Sequence, residues 1–200
     1  MTALALRAGL EWAGLPRLGE RVSGDLVLLA RGDAAASACV VDVAGHGPSA
    51  RAAAARIEAG RPLEAGEGDP AEVVRRIHQL LSGSGDCAAA MAIRVTSRAE
   101  ALSLEYCGVG NVRIAFSDGG SSDEGRPGML GELLPTLRAW RRTMRRGDLV
   151  AVCTDGVGSE LSLGQDLAGL RLRDVPSMLL RRHGRRYDDA TCLALRAEET

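Results

Sequence analysis

From Cys87 to Phe116 three short β-type runs, CAAAMAIRV, ALSLEYC and NVRIAF, follow one another with only polar or glycine residues between them. The middle of the chain is therefore sheet, and no helix alternates with its strands as a parallel βαβ protein requires. The flanks fit the same pattern. Residues 3–12 and 21–30 are apolar segments separated by the Gly14-Leu15-Pro16 turn, as in an antiparallel meander, and SACVVDV at 37–43 is a third, stronger strand. Pro48 and Ser49 open an alanine-rich helix that stops at Gly60. After a glycine-rich loop at 60–68, Asp69 is placed as an N-cap with Pro70 at the first helical position, and Val73, Val74, Ile77, Leu80 and Leu81 follow at helical spacing.

Beyond Phe116, residues 117–131 are rich in Gly, Ser, Asp and Pro and read as a long exposed turn. LRAWRRTM and DLVAVCTDG are expected to form a hairpin across Arg145-Arg146-Gly147, a helix covers Val175 to Arg182, and residues 190–196 make a last strand. The order of strands, two helices, many strands, a helix and a strand points to an α+β fold. Periodicity alone leaves open whether the strands form one sheet or two.

Two hundred residues suit one compact domain spanning 1–200, large enough to bury a core without disulfides. The five cysteines are odd in number and lack CxxC pairing, so they read as core thiols of a reducing, cytoplasmic compartment. No apolar stretch approaches the roughly 18 residues of a membrane span, and the N-terminus lacks the layout of a signal peptide. With 25 basic and 26 acidic residues, whole-molecule charge gives no reason to expect nucleic acid or an anionic membrane as partner.

Four acidic sites border apolar runs: Asp25 in SGD, Asp42 in VVDVAGHG, Asp155 in VCTDGVG, and Asp188-Asp189 in YDDAT. A carboxylate at the end of a buried strand is rigid yet faces solvent, which suits a hard, oxygen-ligated cation such as magnesium or manganese. Taken singly, each is equally the chemistry of an ordinary Asp-Gly turn. Together they make the case for a shared cluster, because like charges gathered in a cleft need cations to stabilise them.

The ordered set GD, DVAGHG, TDG and DDAT, spread over nearly the whole chain, resembles the SpoIIE-type bacterial branch of the metal-dependent PPM (protein phosphatase 2C-like) phosphatases. Within that branch the bare catalytic length and YCGVGNVRIAF are similar to the stressosome phosphatases. The resemblance implies a four-layer αββα sandwich of two antiparallel sheets and two divalent cations, Mn2+ or Mg2+. In it Asp42 bridges both metals, the Val43 carbonyl completes one, Asp155 and Asp188 hold the other, and Asp25 acts through metal-bound water. It also implies phosphoserine or phosphothreonine protein phosphatase activity, with a STAS-domain phosphoprotein as substrate in stress signalling and a monomeric, cytoplasmic enzyme.

Two departures stand out. Where many eukaryotic relatives carry a general-acid histidine this chain has Ala44, and His46 lies two residues further on; at the third-metal aspartate it has Asn111. The GVG of 108–110 reads as a tight turn, His78 and His183 as surface or cap residues, and the clusters at Arg141–Arg146 and Arg181–Arg186 as solvated faces or a phosphoprotein contact. A phosphatase-like binding module without turnover, and a hydrolase of small phosphate esters, are the competing functions.

Overall fold

The computed structural model describes residues 6–32, 35–63, 68–98, 101–118, 122–159, 161, 163–164 and 167–199. Parts of the expected loop at 60–68, of the turn at 117–131 and of the first expected strand lie outside them. Among the described residues ten strands run in chain order: β1 (Leu6–Leu15), β2 (Leu26–Arg31), β3 (Ala35–Val43), β4 (Ala88–Arg98), β5 (Ala101–Val109), β6 (Arg113–Phe116), β7 (Asp123–Glu124), β8 (Trp140–Met144), β9 (Leu149–Cys153) and β10 (Ala190–Glu199). Helices α1 (Gly47–Ala59) and α2 (Pro70–Leu81) fall between β3 and β4, and α3 (Val175–His183) follows β9.

The strands form two five-stranded sheets, β1-β10-β9-β6-β7 and β2-β3-β4-β5-β8. Every adjacent pair of strands within them is antiparallel. Between the sheets lies one apolar cluster that includes Val40, Met91, Leu104, Ile114, Val152 and Leu193. A second cluster packs α1 and α2 on the outside of the β3 sheet through Ala53, Ala54, Ile57, Val74 and Ile77. A third packs α3 on the β9 sheet through Val175, Leu179 and Leu180. The result is the expected α+β, four-layer αββα sandwich.

Local chemistry explains the helices. The Asp69 carboxylate accepts from the Ala71 N–H at 3.0 Å and Pro70 occupies the first turn, so α2 starts where the sequence places it. The buried residues of α1 are small apart from Ile57, which lets the helix lie close to the sheet.

Two connectivity expectations fail. The first two strands are not neighbours in a meander. β1 runs through the expected turn to Leu15 because it pairs with β10 over its full length, while β2 starts only at Leu26 and pairs with β3 in the other sheet. The 137–156 segment is not a hairpin either. β8 pairs with β5 and β9 with β10 and β6, so the chain changes sheets between them. The turn is held on the β10 side, where the Gly147 N–H donates to the Ala197 carbonyl at 2.9 Å. The composition of β8 and β9 already differed: β8 is a mostly exposed edge and β9 is buried throughout.

Candidate active site

Side chains alternate along a strand, so each inner face carries core residues two apart. At one end of the sandwich four strands continue that face into polar residues. Val40 is followed by Asp42, Val152 by Thr154, Leu193 is preceded by Thr191, and Val27 by Asp25. Thr154 Oγ1 donates to Asp25 Oδ2 at 2.9 Å and accepts from the Thr191 N–H at 2.9 Å, joining β9, β10 and the entry to β2.

Burial pushes the Asp25 carboxyl up to about 7, against hydrogen bonds from Thr191 and Thr154 that favour its ionised form. Burial likewise pushes Asp42 up to about 8, with further contributions from the Asp25, Asp155 and Asp188 charges and from a hydrogen bond shared with Asp155. Asp188 is also raised, by burial first and then by the Asp155 charge. The sequence-selected aspartates therefore stand in one another's field, and Asp42 reaches Asp155 directly.

The Asp155 turn is locked from several sides. A side chain at Gly156 would begin 1.8 Å from the Asp189 carbonyl oxygen, so the glycine is required by close backbone approach. The Arg185 N–H donates to the Gly156 carbonyl at 2.7 Å, and the buried Arg113 guanidinium donates to the Val157 carbonyl. Asn111 Nδ2 donates to Asp155 Oδ2 at 2.7 Å. Asn111 is thus a donor to a carboxylate here.

Asp188 and Asp189 divide their work. Asp188 joins the carboxylate group, whereas Asp189 accepts the Arg17 and Gly24 N–H groups at 2.7 Å each and so clamps both ends of the loop between β1 and β2. The Val43 carbonyl faces that loop, 3.3 Å from where a Gly24 side chain would begin. Neighbouring His46 turns outward, with Nδ1 3.1 Å from Glu20 Oε1. His78 is no mere surface residue, because its Nδ1 accepts from the Gly131 N–H at 3.1 Å.

The donor set suits a hard divalent cation: carboxylates and a main-chain oxygen, with no thiol or imidazole among them. Among the described residues no three His, Cys, Asp or Glu side chains already converge on one point in metal-ligating geometry. Carboxylates that share a field repel, and a cation between them would reverse that.

Sequence reasoning missed Thr154 and Thr191 as the groups that hold Asp25, and Asp189 as a loop clamp. The threonines were findable in principle, since each sits two residues beyond an inward-facing core position of its strand. Asp189 was not, because its partners Arg17 and Gly24 are more than 160 residues away in the chain.

No curated protein matches the chain by sequence. A solved structure from work on the bacterial stressosome as a modular system adapted to control secondary messenger signaling matches with a TM-score of 0.76 at 26% identity, over 95% of this chain and 100% of that one. RsbX, solved in complex with magnesium, matches with a TM-score of 0.75 at 23% identity, over 97% of this chain and 96% of that one. The structure of the PP2C phosphatase domain of Bacillus subtilis SpoIIE with a fragment of its regulatory domain matches with a TM-score of 0.74 at 19% identity, over 98% of this chain and 65% of that one. No helix among the described residues is long and apolar enough to cross a membrane. The family model of Stage II sporulation protein E matches residues 32–198, and the chain belongs to this SpoIIE family of PPM-type protein phosphatases.

Proposed function

We propose that this chain is a metal-dependent phosphoserine and phosphothreonine protein phosphatase that acts, as a cytoplasmic monomer, on a STAS-domain phosphoprotein of a stress-signalling pathway. The observation that carries the reading is the gathering of Asp25, Asp42, Asp155 and Asp188 at one end of the sandwich, with Asp25, Asp42 and Asp188 raised by burial first and then by neighbouring carboxylates. Asp42, the Val43 carbonyl, Asp155 and Asp188 would hold two divalent cations, Mg2+ or Mn2+. Such cations neutralise phosphate charge and lower the pKa of water. The protein's own share is positional. Thr154 and Thr191 hold Asp25 toward the inner face, Arg113 and Gly156 fix the Asp155 turn, and Asp189 ties down the loop that carries Asp25. The magnesium of the RsbX structure supports the choice of metal, and the stressosome likeness supports the setting.

The test is phosphate release from a phosphorylated STAS-domain protein with manganese or magnesium and after chelation. Release that needs the metal and returns when it is restored is expected. Release that survives chelation, or turnover confined to small esters, would overturn the reading.

A further inference from the structure

Beside the carboxylates lies an open cleft of about 240 Å³ whose walls come from unlike parts of the chain. Trp12, Pro16 and Val22 line it together with Asp25, Thr191 and Arg51. Trp12 shares the inward face of β1 with Leu6 and Leu10, which are buried in the core. Trp12 itself is 50% exposed. Its ring reaches back over Gly14, with Cζ3 3.6 Å from where a side chain there would begin. Leu18, in the loop that follows β1, is 70% exposed. The wall is held in place by the Asp189 clamp on Arg17 and Gly24 and by the Leu18 N–H donating to the Arg186 carbonyl at 2.9 Å.

Arg51, on the second turn of α1, is the cation among the cleft's lining residues. Its ion pair with Glu58 is long, 3.4 Å, and both side chains are about half exposed, so the guanidinium retains capacity for another anion. A phosphate group approaching a cluster of carboxylates needs positive charge on the protein side, and a guanidinium matches phosphate with two parallel donors. A bare phosphate would use Arg51 but leave the apolar wall untouched.

Resting on the phosphatase reading above, we propose that this cleft is the docking groove for a protein substrate, with Arg51 positioning the phosphate of a phosphoserine and the Trp12, Pro16 and Val22 wall gripping an apolar residue next to it. The occupant is an extended phosphoserine segment of a protein, not a small phosphate ester. Arg185 is the rival for the phosphate, but its Nη1 lies 3.3 Å from the Asp155 carbonyl and so helps hold that turn.

The probes are dye-labelled peptides that carry a non-hydrolysable phosphonate analogue of phosphoserine, one flanked by leucine and its twin flanked by serine, with binding read by anisotropy in magnesium. Wild type should favour the leucine-flanked peptide. Trp12→Ala should weaken that peptide about tenfold, equivalent to about 1.4 kcal/mol, and abolish the preference. Arg51→Ala should weaken both peptides about tenfold, and Arg51→Lys should recover part of the loss. An unchanged preference in Trp12→Ala overturns the apolar wall. Full binding in Arg51→Ala with loss in Arg185→Ala overturns the assignment of the phosphate to Arg51. Phosphoserine versions of the peptides separate the two readings. Wild type that shows these binding differences but releases no phosphate leaves the groove standing and removes the phosphatase function. Wild type that releases phosphate without any leucine preference does the reverse.

Discussion

The two ends of the sandwich use the same inward faces for opposite purposes. At one end β2, β3, β9 and β10 lead into Asp25, Asp42, Thr154 and Thr191. At the other, the faces end in Leu6, Val95, Leu102, Phe116, Met144 and Val150, all buried in the inter-sheet cluster. There the seal is completed by Arg142, whose guanidinium lies 4.0 Å from the centre of the Phe116 ring, and by the tilted Tyr106 and Phe116 pair. The closed end gains from burial, while the open end gathers half-buried carboxylates that disfavour the metal-free fold. The apolar seal and the clustered carboxylates are thus separated along the strand axis within one continuous register.

The largest effect that tests this contrast is expected at Asp155. Asp155→Asn keeps size and one carbonyl oxygen but removes the charge, so phosphate release at limiting manganese should fall by about a hundredfold or more. The thermal midpoint of the metal-free protein should hardly move, or should rise. Near-normal turnover at limiting manganese would break the assignment of this end to catalysis.

At the closed side of the core the reverse split is expected. Leu104 is fully buried on β5, and Leu104→Ala should cost about 2–5 kcal/mol in denaturant unfolding. The specific activity of the remaining folded protein should stay close to wild type. A comparable loss of turnover per folded molecule would show that the ends are not separable.

Thr154→Val keeps the shape but removes a hydroxyl that serves two partners, leaving the Thr191 N–H without its acceptor and Asp25 with one side-chain donor, Thr191, in place of two. A cost of about 1–3 kcal/mol is expected, together with lower activity. Loss of stability alone would make Thr154 a purely structural residue.

The most gradual effect is a pH slope in chelator-treated protein. Asp25 and Asp42 sit at about 7 and 8 when folded, above the ordinary value near 3.8, so between those limits the folded state binds more protons than the unfolded state. Metal-free stability from these groups should therefore fall as pH rises through that window, with each carboxyl contributing at most about 1.4 kcal/mol per pH unit. Melting from pH 5.5 to 8 should show a shallower fall in Asp42→Asn than in wild type, and saturating metal should flatten both. A slope unchanged by Asp42→Asn would show that Asp42 is not its source.

The strand runs, the three helices and the α+β class were legible because each depends on local signals. Asp69 and Pro70 start α2 by short-range chemistry, and β3 announces itself through SACVVDV. The aspartates were legible because a charge at the end of an apolar run stands out, and their order along the chain carried the family resemblance. Sheet membership was not legible. β8 and β9 look like the arms of a hairpin, yet the Gly147 contact with Ala197 and the pairing of β9 with β10 send them to different sheets. Nor could the sequence show that Asp189 would bind backbone across more than 160 residues, that Gly156 would lie against the Asp189 main chain, or that Trp12 would stand half-exposed in a cleft with Asp25 and Arg51. Helix caps and strand alternation are set within a few residues, whereas strand partners, close backbone approach and the opening of a cleft arise only when distant segments compete for the same neighbours.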